Sequence, residues 1–134
     1  MKRIVVYNQQ EFDDCVEEGN VAVVIRGIIT TKGNSNVMAY GKSIIMAYDN
    51  SDVTSFDISQ ITAFDHSNVS AYDNSLVYAF GCCKIVAFDS SQVKACGQTY
   101  VKAYDSSKIT AYDDSQVTAY GNSKVTRSND HGTK

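Results

Sequence analysis

Proline and tryptophan are absent from the 134 residues, and histidine occurs only twice. With so few imidazoles there is no His-rich segment to complete a metal site. A strong charge of either sign is missing too. The net charge of −3 argues against electrostatic nucleic-acid binding, which needs a clustered basic surface. No apolar run approaches the length of a membrane span. The opening MKRIVVYNQQEF carries basic residues but neither a long apolar core nor a small-residue cleavage site. No secretory signal is therefore expected, and the expected location is cytoplasmic. What remains is a globular composition, 43% hydrophobic and 20% charged, at a length that fits one domain.

Inside that composition one eight-residue phrase is written repeatedly, as in VTSFDISQ (53–60), ITAFDHSN (61–68) and VSAYDNSL (69–76). Val or Ile recurs at every eighth residue from 37 to 125, and the register never slips. Fixed-period self-similarity marks a solenoid. The third position is Ala, apart from Ser55 and Arg127, and the fourth is Tyr or Phe, apart from Cys96 and Ser128. The fifth is Asp or Gly until Asn129, and the seventh is Ser, apart from Cys83 and Thr99. Strand faces alternate, so positions one and three share the core side. Positions two and four then face outward. Asp and Gly at position five tolerate positive φ or form Asx turns, which places a corner there. β-branched residues and turn chemistry every eight residues exclude helix.

Each unit is thus one short strand and one corner. Val, Ala and Ser are thin and fill the space between two close sheets, while a triangular coil would leave its centre short of bulk. The expected fold is all-β: a single-domain parallel β-solenoid, with two strands per coil favoured over three. Residues 37–128 form the solenoid and 129–134, without apolar residues, a flexible tail.

Residues 1–36 are expected to be an N-terminal α/β cap. Arg3–Tyr7 reads as a strand. Asn8 with Glu11 three residues on resembles a capping box, and Phe12, Cys15 and Val16 follow at helical spacing up to Gly19. Val21–Ile25 is a β-branched strand, and Val21 and Ile29 already sit in the eight-residue register as degenerate terminal repeats. Cys15, Cys82, Cys83 and Cys96 look like substitutions by small or apolar side chains, expected to be reduced thiols and not a disulfide framework.

The string ITAYDDSQVTAYGNSKVT (109–126) resembles the octapeptide-repeat β-solenoid proteins of bacteria and their phages. The resemblance covers about two-thirds of the chain. It implies architecture and carries no shared catalytic motif.

Two rows of side chains are the candidate surfaces. One is an aromatic ladder: Tyr40, Tyr48, Phe56, Phe64, Tyr72, Phe80, Phe88, Tyr104, Tyr112 and Tyr120. The other is acidic: Asp49, Asp57, Asp65, Asp73, Asp89, Asp105 and Asp113. Aromatics recognise partner proteins or sugars, and stacked rings also stiffen a sheet. Aspartates suit turns first, and calcium rolls or phosphate mimicry second. His66 and His131 are isolated, so no triad forms and no cofactor or metal is expected. The thread of Thr54, Thr62, Thr110, Thr118 and Thr126 is too interrupted for ice binding. The expectation is a non-enzymatic binding or scaffolding module with a protein partner. The alternatives are a phage-type inhibitor of a host protein, by acidic nucleic-acid mimicry, and a carbohydrate-binding module. Direct nucleic-acid binding and membrane association are not expected. The bare C-terminal coil, Val117 to Arg127, is expected to pair end to end with a second copy.

Overall fold

The computed structural model describes residues 2–128; the tail expected over 129–134, including His131, lies outside them. The chain opens with β1 (Arg3–Val6), α1 (Gln9–Glu17), β2 (Val21–Val24) and β3 (Ile28–Thr30). The repeats follow as β4 (Asn36–Ala39), β5 (Ile44–Ala47), β6 (Asp52–Ser55), β7 (Gln60–Ala63), β8 (Asn68–Ala71), β9 (Leu76–Ala79), β10 (Lys84–Ala87), β11 (Gln92–Ala95), β12 (Tyr100–Ala103), β13 (Lys108–Ala111), β14 (Gln116–Ala119) and β15 (Lys124–Arg127).

Alternate strands fall into two sheets. Eight strands run in the order β1-β2-β4-β6-β8-β10-β12-β14, and seven in the order β15-β13-β11-β9-β7-β5-β3. Every pairing is parallel, and in the repeats it steps by sixteen residues, as in Val53↔Val69 and Val93↔Ile109. Two strands therefore complete one coil, and the three-strand alternative is excluded. With coils about 4.8 Å apart, eight of them make a rod on the order of 38 Å long.

The core is one column between the sheets. Positions one and three close on it: Val69 is 2% exposed and Ala71 0%. Ser70 and Tyr72, their neighbours, are partly exposed on the outside. The position-seven serines from Ser35 to Ser115 are buried as well. Apart from Ser43, whose buried hydroxyl has no partner, their hydroxyls donate to the position-four carbonyl three residues back, as Ser75 does to Tyr72 at 2.7 Å and Ser91 to Phe88 at 2.8 Å. The same carbonyl also accepts the backbone N–H of the serine, as Tyr72 C=O does from Ser75 at 3.2 Å, so the hydroxyl adds a second bond inside the bend.

The corner itself depends on position five. All seven ladder aspartates have φ between 55° and 61°, and Gly33, Gly41, Gly81, Gly97 and Gly121 are left-handed too. Asp tolerates this region better than most residues with a Cβ. At Gly41 even that is excluded, because a Cβ would come within 2.7 Å of the Ile25 carbonyl oxygen.

At the N-terminal end α1 stands where a further strand of the seven-stranded sheet would be. Asn8 accepts the Glu11 N–H at 2.8 Å, and the Glu11 carboxylate accepts the Tyr7 N–H at 2.8 Å. Gly19 stops the helix at φ 78°. Phe12 and Cys15 are buried against the end of the core. The Gln9 amide grips the edge of β3 twice, accepting the Thr30 N–H at 2.9 Å and donating to the Thr30 carbonyl at 2.8 Å. The C-terminal end has no such lid among the described residues. Ala119 is exposed there and Val125 is 41% exposed, although both occupy inward positions.

Candidate binding surface

The parity of the coil divides each ladder in two. Corners after the eight-stranded sheet (40–43, 56–59, 72–75 and so on to 120–123) form one long edge, edge A. Corners after the seven-stranded sheet (32–35, 48–51 and so on to 112–115) form the other, edge B.

On edge A six rings stack without a break. Tyr40, Phe56, Tyr72, Phe88, Tyr104 and Tyr120 follow at centroid spacings of 4.8, 5.2, 4.8, 5.2 and 4.9 Å. Neighbouring ring planes differ by 7–11°. The rings therefore turn their faces to one another and their edges to solvent. Tyr120, the last rung, is 47% exposed. On edge B the row is shorter: Tyr48, Phe64 and Phe80 stack at 4.7 and 5.6 Å, and Cys96 then separates Phe80 from Tyr112.

The aspartates do more than turn the chain. In each case Oδ2 accepts the backbone N–H of position five one coil earlier. On edge A, Asp57 takes Gly41 N–H at 2.9 Å, Asp73 takes Asp57 at 2.9 Å, Asp89 takes Asp73 at 2.9 Å and Asp105 takes Asp89 at 3.0 Å. On edge B, Asp49 takes Gly33 at 2.8 Å, Asp65 takes Asp49 at 3.0 Å and Asp113 takes Gly97 at 3.2 Å. These charge-assisted bonds pin the carboxylates in a line.

Departures from the repeat gather on edge B. Gly81, Cys82 and Cys83 occupy one corner, and Cys96, Gly97 and Thr99 the next corner of the same edge. Because residues 81 and 97 are glycines, no carboxylate covers the N–H of Asp65 or Gly81 there. His66 is exposed at position six of edge B, in an open shallow groove with Asp49, Asn50, Asp65, Gly81 and Cys82. Among the described residues no three His, Cys, Asp or Glu side chains are grouped to hold a metal ion.

The four cysteines are free. Burial pushes the Cys83 thiol up to about 11, against hydrogen bonding from the Phe80 and Ser67 backbone, which lowers it. Burial raises Cys15 and Cys96 as well, with Glu18 and Asp113 respectively adding to the effect. Cys82 is exposed in the edge B groove.

Several residues of these surfaces escaped the sequence reading. Tyr7 and Ile25 follow Val6 and Val24, whose register leads to Ala39 and so to Tyr40. They are 58% and 45% exposed and extend the edge A stripe to the N-terminal end. Ile58, 47% exposed, lies beside the stripe at position six. The flat outer faces carry Thr54, Ser70, Val86, Lys94 and Lys102, with the Lys94 ammonium 5.5 Å from the centre of the Tyr78 ring. Only the parity of the repeat, applied after fixing two strands per coil, separates edge A from edge B. Among the described residues no helix is long and apolar enough to cross a membrane. Comparison with protein-family models, curated proteins and solved structures returns no match.

Proposed function

We propose that the protein is a non-enzymatic binding module that presents edge A as a rigid strip to a protein partner in the cytoplasm, in the manner of solenoids of bacteria and phages. The observation that carries this reading is the unbroken row from Tyr40 to Tyr120 with the line Asp57, Asp73, Asp89 and Asp105 alongside it. Apolar ring edges flanked by fixed carboxylates fit a partner groove that is apolar at its centre and rimmed with Lys or Arg. Sugars and bases stack on open ring faces, and here the ladder uses the faces on itself. Mimicry of a nucleic acid is weaker too, because one carboxylate per coil is spaced about 4.8 Å, against one duplex charge per ~1.7 Å. An inhibitor that docks on a host protein is a special case of the same strip. The reading extends to the C-terminal end, taken as a surface for a second copy.

The test leaves the rings untouched and alters the neighbouring position six. A triple variant Ile58→Arg, Asn74→Arg and Ser90→Arg changes edge A; Asn50→Arg with Gln98→Arg changes edge B. A partner captured from lysate by the wild type and the edge B variant, and lost from the edge A variant, supports the reading. Equal capture by all three, or glycan-array binding without any protein partner, overturns it.

A further inference from the structure

Both ends of the solenoid face the same physical problem, and they meet it differently. Each end coil exposes the underside of inward residues and the unpaired side of its strand backbones. The N-terminal end is closed by α1, by Phe12 and by the Gln9 amide on Thr30. At the C-terminal end the exposed group is Ala119, Tyr120 and Val125, with Val117 half-buried. One carbonyl there has a substitute partner. In the coil before, Thr99 C=O accepts the Gln116 N–H at 2.9 Å, and the equivalent Ser115 C=O accepts the Arg127 guanidinium at 2.9 Å. Ala103 and Ser107 give their carbonyls to Tyr120 and Lys124. Among the described residues no N–H reaches the equivalent carbonyls of Ala119 and Ser123.

We infer that this end binds the same end of a second copy across a two-fold axis that lies along the strands. The inference rests on reading the end as an association surface. A two-fold perpendicular to the rod turns the second coil over and makes every new strand contact antiparallel. Two orientations satisfy this, and charge separates them. With the axis along the sheet normal, β15 meets the partner's β15, and one two-stranded ribbon gathers both copies of Lys124 and Arg127. With the axis along the strands, β15 meets the partner's β14, whose residues Gln116–Ala119 are uncharged. Like charges on paired strands are destabilising, so the second arrangement is favoured.

The second arrangement also keeps edge A on edge A. The free face of Tyr120 then meets its copy at about one rung, ~5 Å, and the aromatic row runs from Tyr104 through both Tyr120 rings to the partner's Tyr104. A single coil end is a small contact, so the association is weak and reversible, with a midpoint on the order of 100 µM.

Photo-oxidative dityrosine cross-linking followed by peptide mass analysis tests this directly, beside light scattering from about 10 to 500 µM, a range that brackets a dissociation constant of that size. The expected result is a concentration-dependent rise in scattering mass from 14.7 kDa towards twice that value. The cross-linked peptide should join Tyr120 to Tyr120. Tyr120→Phe should keep the association and lose that cross-link. Ala119→Asp, at the open end, should abolish association, while Thr118→Asp, on the outer face of the same strand, should weaken it far less. Circular dichroism checks that each variant stays folded. A monomer throughout the range overturns the inference, as does a dimer unaffected by Ala119→Asp or one cross-linked elsewhere. Partner capture through edge A is unaffected by Ala119→Asp, so the two readings fail separately.

Discussion

The backbone N–H of Asp49 donates to Oδ2 of Asp65, 3.0 Å away and one full coil later in the chain. The same relation recurs at all seven ladder aspartates. Each aspartate therefore does two things at once. Its backbone accepts the left-handed conformation of the corner, and its side chain ties that corner to the one before it. Glycine does only the first, so Gly and Asp both occur at this position without being equivalent.

Position 89 separates the two roles. Asp89→Gly keeps φ accessible and removes only the acceptor for Asp73 N–H, a loss of about 1–2 kcal/mol. Asp89→Val also forces a β-branched residue into φ 57°, adding a further ~1–2 kcal/mol. Urea unfolding of the two variants should rank them in that order. Equal losses would show that the carboxylate, not the backbone, carries the whole effect.

Inward and outward positions predict opposite tolerances on adjacent residues. Val69, 2% exposed, sits in the core, and Val69→Asp buries a charge without a partner, with a cost of several kcal/mol or outright unfolding, on the order of 4 kcal/mol or more. Ser70→Asp lies on the outer face and should stay within about 0.5 kcal/mol. Thermal melts of the pair measure this, and similar losses would reverse the faces.

Cys83 gives a pH signature. Its folded thiol is held at about 11 against an ordinary value of 9.0. Below pH 9 both states keep the proton, and the contribution is fully present. Between pH 9 and about 11 the unfolded thiol ionises first, so stability falls with rising pH. Cys83→Ser restores the residue usual at this corner and removes that part of the decline. Comparing the two proteins across the window cancels the tyrosines. Parallel pH profiles would refute the assignment. At pH 8 a thiol reagent should modify exposed Cys82 well before Cys83.

The gap at Cys96 can be filled. Cys96→Tyr would place a ring between Phe80 and Tyr112 and restore to edge B the continuity that edge A has. Two new ring contacts should add about 1 kcal/mol, read as a higher melting temperature. A lower one would mean that the sheltered site, now 2% exposed, has no room for a ring above it.

The register was legible because position one never slips, and the inward face was legible because Val and Ala share a parity. Two strands per coil followed from how little volume Val, Ala and Ser supply. What stayed hidden depends on contacts sixteen or more residues apart. The split of Tyr40 and Tyr48 onto opposite edges needs the coil number first. The bond from Asp49 to Asp65 needs the rise between coils and the corner geometry together. Gln9 on Thr30 and Arg127 on Ser115 are single side chains outside the pattern, where a repeat carries no information. The functional reading of the rings was left open by composition, since a row of Tyr and Phe looks alike whether its faces are free or stacked.

The stepwise strand pairing has a consequence for how the molecule comes apart. Among the described residues each repeat strand pairs only with the strands one coil before and after it. Stability in such a chain is a sum of neighbour terms. Loss of structure can then travel as a front. The helix-covered end resists, because leaving it means extracting Phe12 and breaking the Gln9 clamp. The bare end has little to lose: β15 is exposed along its whole length. Fraying should begin there and advance two strands at a time, so the rod erodes from one side like a burning fuse while the remaining coils stay intact.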